Sequence, residues 1–583
     1  SAARPRRYPD PYMPDAPLHR ITGGARIHCP FAESDRPYDP MAPELQSGPN
    51  VSQARIHTPV NALRILMVGL LLLVAAGCAQ LPTGYDISET TALTDTDDTT
   101  LGIRAAITRH EQAGETVVTT LTSGRDAFYA RLALADMAER SLDIQYFLWH
   151  KDLTGQVLLY NVLKAADRGV RVRILLDDLD NHALDQALYV LDEHPNISIR
   201  LFNPFPTRGF HYIDFLTDTA RVNRRMHNKS FTADNQVTIV GGRNIGDEYF
   251  SAKTDSNFYD MDALATGPLV REVSAAFDLY WNHETAVPVY AFEQNDATPD
   301  DIEKLREELR AYTESHRDSQ YAKDVRSSQF YKAMEKEGDF PVYVATATVY
   351  FDDPGKGLGK TREEVAFMNE LLPPYFDNLD HELVIITPYF VPGDDGVQKV
   401  LDVVKRGISV VVITNSYGST DNVAVHAGYS RFREALLAGG VKIYELKVSA
   451  KKPRQKDSVA YSSGASLHAK SFIFDEKSVF IGSLNMDPRS IDINTEMGIV
   501  FHSPELARAM VSALDRGELE NMYQLELVTT PAKITGEFAT DSTQIVWIER
   551  KDGEVIRHTD EPGIDAWESI KLFFAGMAPE SQI

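Results

Sequence analysis

The stretch RMHNKSFTADNQVTIVGGRN, residues 225–244, has a second copy in SLHAKSFIFDEKSVFIGSLN, residues 466–485. Both copies follow the pattern H-x-K-x4-D-x6-G-[GS]-x-N. The fixed positions are His227, Lys229, Asp234, Gly241, Gly242 and Asn244 in the first copy, and His468, Lys470, Asp475, Gly482, Ser483 and Asn485 in the second. Because all of these offsets recur 241 positions apart (468 − 227), we interpret the two stretches as an internal duplication.

The duplication extends from the motifs to their surroundings. In the first half, SLDIQYFLW (141–149) predicts a strand, and a helical stretch that ends at Gly169 leads to the strand VRVRILLDD (170–178). In the second half, HELVIITPYFVP (381–392) and ISVVVITNS (408–416) flank a similar helical stretch. The sequence therefore predicts an α/β fold with two tandem α/β domains.

The spacing of histidine and lysine within each motif indicates phosphate chemistry. Residues two apart on a strand share one face, so His227 points with Lys229 and His468 points with Lys470. A neutral imidazole can attack phosphorus, and an ammonium group can hold a non-bridging phosphate oxygen. Each pair is a minimal unit for binding a phosphoester.

The aspartate of each motif lies too far along its strand to orient its own histidine. Seven strand residues at roughly 3.3 Å each place Asp234 about 23 Å from His227. The aspartate instead begins a tight turn. If that turn has two central residues, Asn244 lies opposite His227 and Asn485 lies opposite His468, which places an amide beside each imidazole.

Composition limits the classes of partner. The chain has 583 residues with 43% apolar and 25% charged residues, which is typical of a globular protein with more than one core. A net charge of −25 disfavours binding to nucleic acid, which requires a basic surface. Two cysteines, Cys29 and Cys78, are too few for a disulfide framework or a cysteine-based zinc site.

One apolar stretch, LRILMVGLLLLVAAGCAQ at residues 63–80, predicts a targeting segment. Its apolar run suits a signal peptide better than a membrane span, and the small residues before Cys78 are similar to a bacterial lipoprotein cleavage site. Cys78 would then be lipidated; the alternative is a buried helix or an uncleaved anchor helix. Residues 1–60 lack periodicity, so we expect a mis-assigned start site.

These features divide the chain into seven parts. They are a non-native or disordered extension (1–60), a lipoprotein-type signal peptide (61–78), a flexible tether (79–115), a first domain (116–295), a helical linker (296–340), a second domain (341–530) and a C-terminal extension (531–583).

With both motifs in place, the sequence resembles the phospholipase D superfamily from about residue 120 to the C-terminus. GSLNMDPRSIDINTE, with Glu496, is similar to the region after that family's second motif, and FYDMD, with Asp260 and Asp262, takes the comparable place after the first. RMHNKS, VGGRNIGDEYF and VHAGYSRFREALL are similar to the bacterial cardiolipin synthase C branch. The resemblance implies two phospholipase D-like domains, related by a pseudo-twofold axis, that share one active site.

The resemblance also implies residue roles. His227 would attack phosphorus and form a phosphohistidine, and His468 would protonate the leaving alcohol and then activate the acceptor; the reverse assignment stays open. Lys229, Lys470, Asn244 and Asn485 would bind phosphoryl oxygens, with Asp234 and Asp475 in support. Glu496 and Asp262 would orient an imidazole. No metal or other cofactor is implied.

Four further residues are candidate substrate contacts. Arg225 and Arg243 flank the first motif and would attract an anionic headgroup, or else belong to an ordinary charge cluster. His426 and Tyr429 share a helix face and would line the acceptor side, or else pack internally. The C-terminal stretch DAWESIKLFFAGM predicts an amphipathic helix that lies either at a membrane interface or on the enzyme's own core.

The functional prediction is a phosphatidyltransferase, similar to cardiolipin synthases, that acts on phosphatidylglycerol and phosphatidylethanolamine. The alternatives are a phospholipase D that releases phosphatidic acid, a nuclease of the same superfamily, or a non-catalytic lipoprotein. We expect no nucleic acid and no obligate protein partner. Through lipidated Cys78 the domains would be anchored to a membrane of the bacterial cell envelope, facing the periplasm.

Overall fold

The fold is described from a computed structural model for residues 81–108, 115–208, 213–254, 256–292, 295–336, 340–447, 466–514, 519–530, 542–551 and 553–576. The predicted extension (1–60) and signal peptide (61–78), with Cys78, lie outside the described residues. Among the helices in the described ranges, none is both long and apolar enough to cross a membrane.

The first half is built on a mixed sheet. Its strands are β1 (Thr116–Leu121), β2 (Ser141–Tyr146), β3 (Arg171–Asp177), β4 (Ile197–Phe202), β5 (Ser230–Ala233), β6 (Val237–Gly241), β7 (Phe258–Tyr259), β8 (Asp262–Thr266) and β9 (Ala286–Pro288). All of them except β7, which pairs with β14 in a separate two-stranded sheet, pair in the order β9–β4–β3–β2–β5–β6–β8–β1, and β2, β3 and β4 run parallel. The parallel run is the predicted β-α-β unit.

The second half repeats this arrangement. Its strands are β10 (Tyr343–Phe351), β11 (Glu382–Ile386), β12 (Ser409–Asn415), β13 (Lys442–Leu446), β14 (Ser466–Leu467), β15 (Ser471–Phe474), β16 (Ser478–Gly482), β17 (Met497–His502), β18 (Met522–Thr530), β19 (Ser542–Lys551) and β20 (Glu554–His558). The order is β10–β17–β16–β15–β11–β12–β13–β18–β19–β20. Antiparallel pairing of β1 with β10 joins the halves into one sheet.

Helices cover the faces of this sheet. The first half and the segment after it carry α1 (Thr100–Thr108), α2 (Gly124–Met137), α3 (Leu153–Asp167), α4 (Asp185–Asp192), α5 (Asp214–Thr217), α6 (Thr219–Val222), α7 (Leu269–Trp281), α8 (Pro299–His316), α9 (Gln320–Arg326) and α10 (Gln329–Lys336). The second half carries α11 (Pro373–Asp377), α12 (Gly393–Lys405), α13 (Val423–Ser430), α14 (Arg433–Ala438), α15 (Pro488–Asp492), α16 (Pro504–Ala513) and α17 (Ala566–Ala575).

Strand pairing confirms two tandem α/β domains. Leu142 pairs with Ala233 in the first half, and Leu383 pairs with Phe474 in the second. Both partners are displaced by the same 241 positions that separate the motif histidines. A third hydrophobic cluster, which includes Ala263 and Ile499, contains buried residues from both halves. The two domains therefore share a core as well as a sheet edge.

The turn inside each motif differs from the predicted one. Ala233 pairs with Val237, so three residues rather than two separate the strands, and Phe474 pairs with Ser478 in the same way. The first two loop residues have φ near 50° in both copies, for example Asp234, a conformation that carboxylate and amide side chains tolerate. The register is therefore shifted by one in both copies, and the expectations that Asn244 lies opposite His227 and that Asn485 lies opposite His468 are wrong.

The predicted tether (79–115) is ordered over residues 81–108. The backbone N–H of Ala92 donates to Asp278 Oδ2 at 2.8 Å, and the carbonyl of Thr90 accepts from Arg173 Nη1 at 2.8 Å. Thr96 and Thr99 are buried. The polar composition suggested flexibility, but these residues satisfy the hydrogen bonds of charged side chains that are buried in the first domain.

The segments at both ends of the second domain are also integral to the fold. Helices α8–α10 occupy the predicted linker, and their residues Leu309, Tyr321 and Phe330 belong to the first hydrophobic core. In the C-terminal extension, β19 pairs with residues 523–530 of β18, and Trp547 is part of the second core.

Candidate active site

Both motif histidines lie at the edge of the sheet where β2 and β11 end. His227 lies three residues before the start of β5, which runs antiparallel to β2. Its backbone N–H donates to Thr495 O of the second half at 2.8 Å. His468 follows β14, which pairs with β7 of the first half, and its N–H donates to Tyr259 O at 2.7 Å. Each motif is thus attached to the opposite domain, which brings the two motifs together.

A carboxylate from the second domain orients His227. Glu496 Oε2 lies 2.8 Å from Nδ1 of the imidazole and also accepts a hydrogen bond from Ser483 Oγ at 2.5 Å. The ring of Phe147 packs at 5.2 Å from the imidazole centroid. Burial lowers the pKa of His227 to about 4 despite the opposing charge of Glu496. The imidazole is therefore neutral at pH 7, with Nδ1–H held by the carboxylate and Nε2 available as a nucleophile.

The pKa of Glu496 is held below its ordinary value. Burial alone would raise it, but the charge and hydrogen bond of His227 and the charge of Lys229 outweigh burial. Glu496 thus remains a carboxylate that can stabilise positive charge on the imidazole.

A carboxylate from the first domain orients His468 in the reciprocal way. Asp260 Oδ2 lies 2.6 Å from Nδ1, and the rings of Tyr249 and Phe258 lie 5.3 and 4.9 Å from the imidazole centroid. Burial and the charge of Lys470 lower the pKa of His468 well below its ordinary value. Burial raises the pKa of Asp260. The hydrogen bond between Asp260 and His468 therefore joins two buried groups whose charged forms are both disfavoured by burial.

Asp262 does not take the predicted role. Its carboxylate pairs with Arg131 Nη2 at 3.0 Å and with Arg243 Nη1 at 3.2 Å. Asp260, two residues earlier on the same face, makes the histidine contact instead. The missed signal is the short strand β7, because its pairing with β14 brings Asp260 rather than Asp262 level with His468.

The two motif lysines are almost fully buried beside the histidines. Lys229 Nζ donates to His227 O at 2.6 Å, and Lys470 Nζ donates to His468 O at 2.5 Å. Burial is the main cause that lowers the pKa of Lys229 well below its ordinary value and that of Lys470 to about 8. A bound phosphate would restore the preference of both groups for the ammonium form.

The two motif asparagines are not equivalent. Asn244 is held by two neighbours, since its Oδ1 accepts from Leu148 N at 3.2 Å and its Nδ2 donates to Tyr249 OH at 2.8 Å. Asn485 is 4% exposed, and its Oδ1 has no hydrogen-bond partner among the residues that the structure describes. Oδ1 of Asn485 is therefore a buried hydrogen-bond acceptor without a partner among the described residues, whereas the corresponding Oδ1 of Asn244 already accepts a hydrogen bond.

One motif position is glycine in the first copy and serine in the second, and in both copies it lies against the carboxylate that orients a histidine. A Cβ on Gly242 would lie 2.3 Å from Asp260 Oδ1, so only glycine leaves room for that side chain. In the second copy, the same position is Ser483, whose hydroxyl donates to Glu496. Glycine and serine at this position each accommodate the carboxylate that orients the other domain's histidine.

The motif aspartates act away from the histidines, as expected from their distance. Asp234 accepts from the backbone N–H groups of Glu139, Arg140 and Ser141, which lead into β2. Asp475 accepts in the same way from the N–H groups that lead into β11. Each side chain ties its motif hairpin to the adjacent antiparallel strand, β2 in the first half and β11 in the second.

Arg225 and Arg243 are structural rather than available to a headgroup. Arg225 bonds Asp177 Oδ1 at 3.2 Å and Asn203 O at 2.8 Å, and Arg243 donates to Leu121 O at 2.7 Å. Both guanidinium groups are fully buried. The predicted substrate contacts are wrong because these arginines neutralise buried carboxylates and satisfy backbone carbonyls.

His426 and Tyr429 also pack internally. His426 Nε2 lies 2.6 Å from Glu561 Oε1, and Tyr429 OH donates to Glu445 Oε1 at 2.9 Å. Arg433 bridges Glu445 and Glu561. The predicted acceptor-side lining is therefore wrong, and the network fastens the C-terminal extension to α13.

His150, Asp152 and Glu248 form a cluster with metal-ligand geometry. Protein donors already use these groups: Asp152 accepts from Gly155 N at 3.0 Å, and Glu248 pairs with His150 and with Lys253. The cluster is accounted for as a structural network beside α3.

The sequence of the chain is similar to those of known proteins. A family model described as cardiolipin synthase, phospholipase D-like domain, matches residues 132–281 and 375–516. Cardiolipin synthase C of Escherichia coli (strain K12) is 38% identical over 478 residues, which cover 80% of this chain and 96% of that protein. A cardiolipin synthase of Staphylococcus aureus (strain N315) is 23% identical over 399 residues, 67% of this chain and 65% of that protein.

Among solved structures, a phosphatidylserine synthase of Haemophilus influenzae Rd KW20 covers 70% of this chain and 87% of its own, with 16% sequence identity and a TM-score of 0.49.

Proposed function

The chain belongs to the phospholipase D superfamily as a cardiolipin synthase-like protein, and we propose that it transfers a phosphatidyl group between membrane phospholipids through a phosphohistidine. The observation that carries this proposal is the reciprocal orientation of two histidines by carboxylates from opposite domains, beside two buried lysines. Such an arrangement supplies a nucleophile, a proton donor and a cradle for one phosphate group.

His227 serves as the nucleophile. Its pKa of about 4, caused mainly by burial, keeps the imidazole neutral at neutral pH. Attack by Nε2 on phosphorus leaves positive charge on the ring, and the ionised Glu496 at Nδ1 stabilises that charge. The lower pKa of Glu496 supports this assignment over the reverse one.

His468 serves as the acid and then as the base. The phosphate that enters beside it is anionic, which raises the proton affinity of the imidazole. Its proton passes to the oxygen of the leaving alcohol, and it later takes the proton of the acceptor hydroxyl. Asp260 holds Nδ1 throughout, so the same Nε2 faces both alcohols.

The direct test uses the full chain in detergent. It is incubated with phosphatidylglycerol and phosphatidylethanolamine, and the products are identified by mass spectrometry, with His227→Ala as control. Cardiolipin that is absent from the control supports the transferase. Phosphatidic acid alone would make the protein a phospholipase D that uses water as acceptor. No product from the wild-type chain would overturn both readings.

Membrane attachment through Cys78 belongs to the same proposal. A lipid substrate requires that the site reach a bilayer, and a lipidated cysteine at the end of the apolar stretch 63–80 would hold the domains at the periplasmic face of the cell envelope. Metabolic labelling with palmitate tests this. Label that persists in Cys78→Ala would contradict lipidation at this residue.

A further inference from the structure

One aromatic side chain of the first domain contacts groups of both motifs. Tyr249 lies in the loop between β6 and β7. Its hydroxyl oxygen accepts a hydrogen bond from Asn244 Nδ2 at 2.8 Å. The centroid of its ring lies 5.3 Å from that of the His468 imidazole, at an interplanar angle of 82°, which is the edge-to-face geometry that aromatic pairs prefer. Tyr249 therefore joins the amide of the first motif to the imidazole of the second.

The loop fixes Tyr249 in this position. The residue is 4% exposed, and burial raises the pKa of its hydroxyl, which is therefore neutral at pH 7. Its backbone N–H donates to Gly246 O at 3.0 Å, and its carbonyl accepts from Arg243 Nε at 3.2 Å. Because the guanidinium of Arg243 is itself fully buried, the backbone of Tyr249 is anchored to the core of the first domain.

A second ring of the first domain packs on the same imidazole. Phe258 lies 4.9 Å from His468 at an interplanar angle of 33°, and 4.9 Å from Tyr249. Asp260 holds Nδ1 of the imidazole at 2.6 Å, a single hydrogen bond about which the ring could still tilt. The two aromatic rings meet the imidazole at different angles and so remove that freedom.

The second domain has no aromatic residue at the position equivalent to Tyr249. Ser490 stands 241 positions after it, and its backbone carbonyl accepts from Lys356 Nζ at 3.1 Å. Asn485, the counterpart of Asn244, keeps a buried Oδ1 without a partner in the described ranges. The two half-sites therefore differ at this position, and the aromatic contact falls on the side of the proposed proton donor.

We propose that Tyr249 is a positioning residue for phosphatidyl transfer, whose hydroxyl fixes the amide of Asn244 and whose ring fixes the imidazole of His468. This inference rests on the proposed function, with His468 as proton donor and Asn244 as a contact of a phosphoryl oxygen. A displacement of about 1 Å in a reacting group can cost about 10²-fold in rate. One rigid side chain in contact with both groups keeps the phosphate contact and the proton donor at a constant separation.

Two substitutions separate the two contacts of Tyr249. Tyr249→Phe removes the hydroxyl and keeps the ring, whereas Tyr249→Leu removes both. The donors are phosphatidylglycerol and a phosphatidyl ester of p-nitrophenol with the same acyl chains, whose leaving group needs no proton. The kcat/KM of the full chain is measured for each donor in mixed micelles, since this parameter reports the steps up to departure of the first leaving group.

We expect each contact to have its own signature. Tyr249→Phe should lower kcat/KM by roughly 2- to 10-fold with both donors, the effect of one hydrogen bond, and should cause no further loss in an Asn244→Ala background. Tyr249→Leu should in addition lower the ratio of phosphatidylglycerol to nitrophenyl ester by roughly tenfold, because only the natural leaving group needs the proton of His468.

The matched control is Phe147→Leu, which removes the ring that packs on His227. Both donors need the nucleophile, so this variant should lower both activities and leave their ratio at the wild-type value. Thermal melting shows whether Tyr249→Leu is folded, and the Tyr249→Phe and Asn244→Ala cycle tests the proposal if it is not.

The outcomes distinguish this inference from the proposed function. An unchanged ratio in folded Tyr249→Leu, or losses that add in the cycle, would overturn the positioning role while leaving the proposed function intact. A wild-type chain that consumes neither donor would overturn both.

Discussion

At the residue scale, the two histidines differ in the carboxylate that each one contacts, which is Glu496 for His227 and Asp260 for His468. Glu496 remains ionised beside His227, whereas burial raises the pKa of Asp260 beside His468. A phosphohistidine needs a neighbouring negative charge, and a proton donor needs a partner that shares its proton. Two motifs with the same residues therefore support two different steps.

This difference predicts distinct effects for the two alanine variants. With a phosphatidyl ester of p-nitrophenol, the leaving group needs no proton. His468→Ala should lose about 10²- to 10⁴-fold in kcat with natural headgroups but retain release of p-nitrophenolate. His227→Ala should lose both reactions. Spectrophotometric assay of nitrophenolate checks this, and the opposite pattern would exchange the two roles.

The pKa of Lys470 predicts the pH above which activity falls. Burial is the main reason that its pKa falls to about 8, so the ammonium form is present below that pH and is lost as the pH rises through it. Since the free enzyme governs kcat/KM, that parameter should fall about tenfold per pH unit above pH 8.

The pH profile of Lys470→Arg provides the control. The guanidinium group stays protonated, so this variant should be less active but should lack the alkaline limb. A wild-type profile that stays level up to pH 10 would contradict the assignment.

A larger side chain at position 242 should disturb the active site through Asp260 rather than through direct contact with substrate. A Cβ 2.3 Å from Asp260 Oδ1 must displace the carboxylate that orients His468. We expect Gly242→Ala to lower kcat by roughly 10-fold or more, in the range of a misplaced proton donor. Ser483→Ala, which removes only a hydrogen bond to Glu496, should be milder. Thermal melting of both variants distinguishes a loss of catalysis from a loss of folding. Equal kcat values for Gly242→Ala and Ser483→Ala would refute the steric explanation.

At the element scale, the segment before β1 is part of the first domain. Residues 81–108 supply Thr90 and Leu93 carbonyls to Arg173 and Asn235, and Thr90 also accepts from Trp281 Nε1. Charged and polar side chains of the core depend on these acceptors. Sequence composition predicted a tether because the residues are polar, but their partners lie far along the chain.

Truncation tests this dependence. A chain that starts at residue 110 leaves several buried polar groups unpaired, each at a cost of roughly 1–3 kcal/mol. Its Tm should fall by several degrees relative to a chain that starts at residue 81, measured by calorimetry. Equal Tm values for the two chains would mean that the segment does not stabilise the domain.

At the scale of the whole molecule, α17 gives the enzyme an exposed apolar surface. The helix packs on α13, with Tyr417 hydrogen-bonded to Glu568, while Ile570, Phe573 and Phe574 are 47%, 69% and 65% exposed. One face of the helix docks on the enzyme, as one of the two interpretations predicts, and the other face is exposed. Contact of that exposed face with lipid stays a prediction. The side chain of Trp567 lies outside the described residues.

Membrane contact through this face predicts a dependence on the form of the substrate. Replacing Phe573 and Phe574 by Ser should lower the ratio of activity on vesicles to activity on micelles by roughly tenfold, since a buried Phe contributes about 1.5–3 kcal/mol. The control variant replaces Ile103 and Ile107, exposed at 53% and 77% on α1, by Ser. The same loss in both variants would contradict a specific role for α17.

Sequence alone determined the duplication, the α/β class and the two histidine–lysine pairs, because fixed offsets and strand alternation are local properties that repeat along the chain. It also placed Glu496 correctly behind an imidazole through family resemblance. The predicted roles in the site were wrong for five residues: Asp262, Arg225, Arg243, His426 and Tyr429. Their side chains are of the types that bind substrates or orient catalytic groups, but in the structure they bond to other buried groups of the protein.

Only the tertiary structure decided which carboxylate meets which histidine, because both contacts cross between domains: 269 residues separate His227 from Glu496, and 208 separate His468 from Asp260. It also decided that Oδ1 of Asn244 is hydrogen-bonded while Oδ1 of Asn485 is buried and has no partner among the described residues. Such pairings depend on how two sheets join at β1 and β10, and no local pattern in the chain encodes that distance.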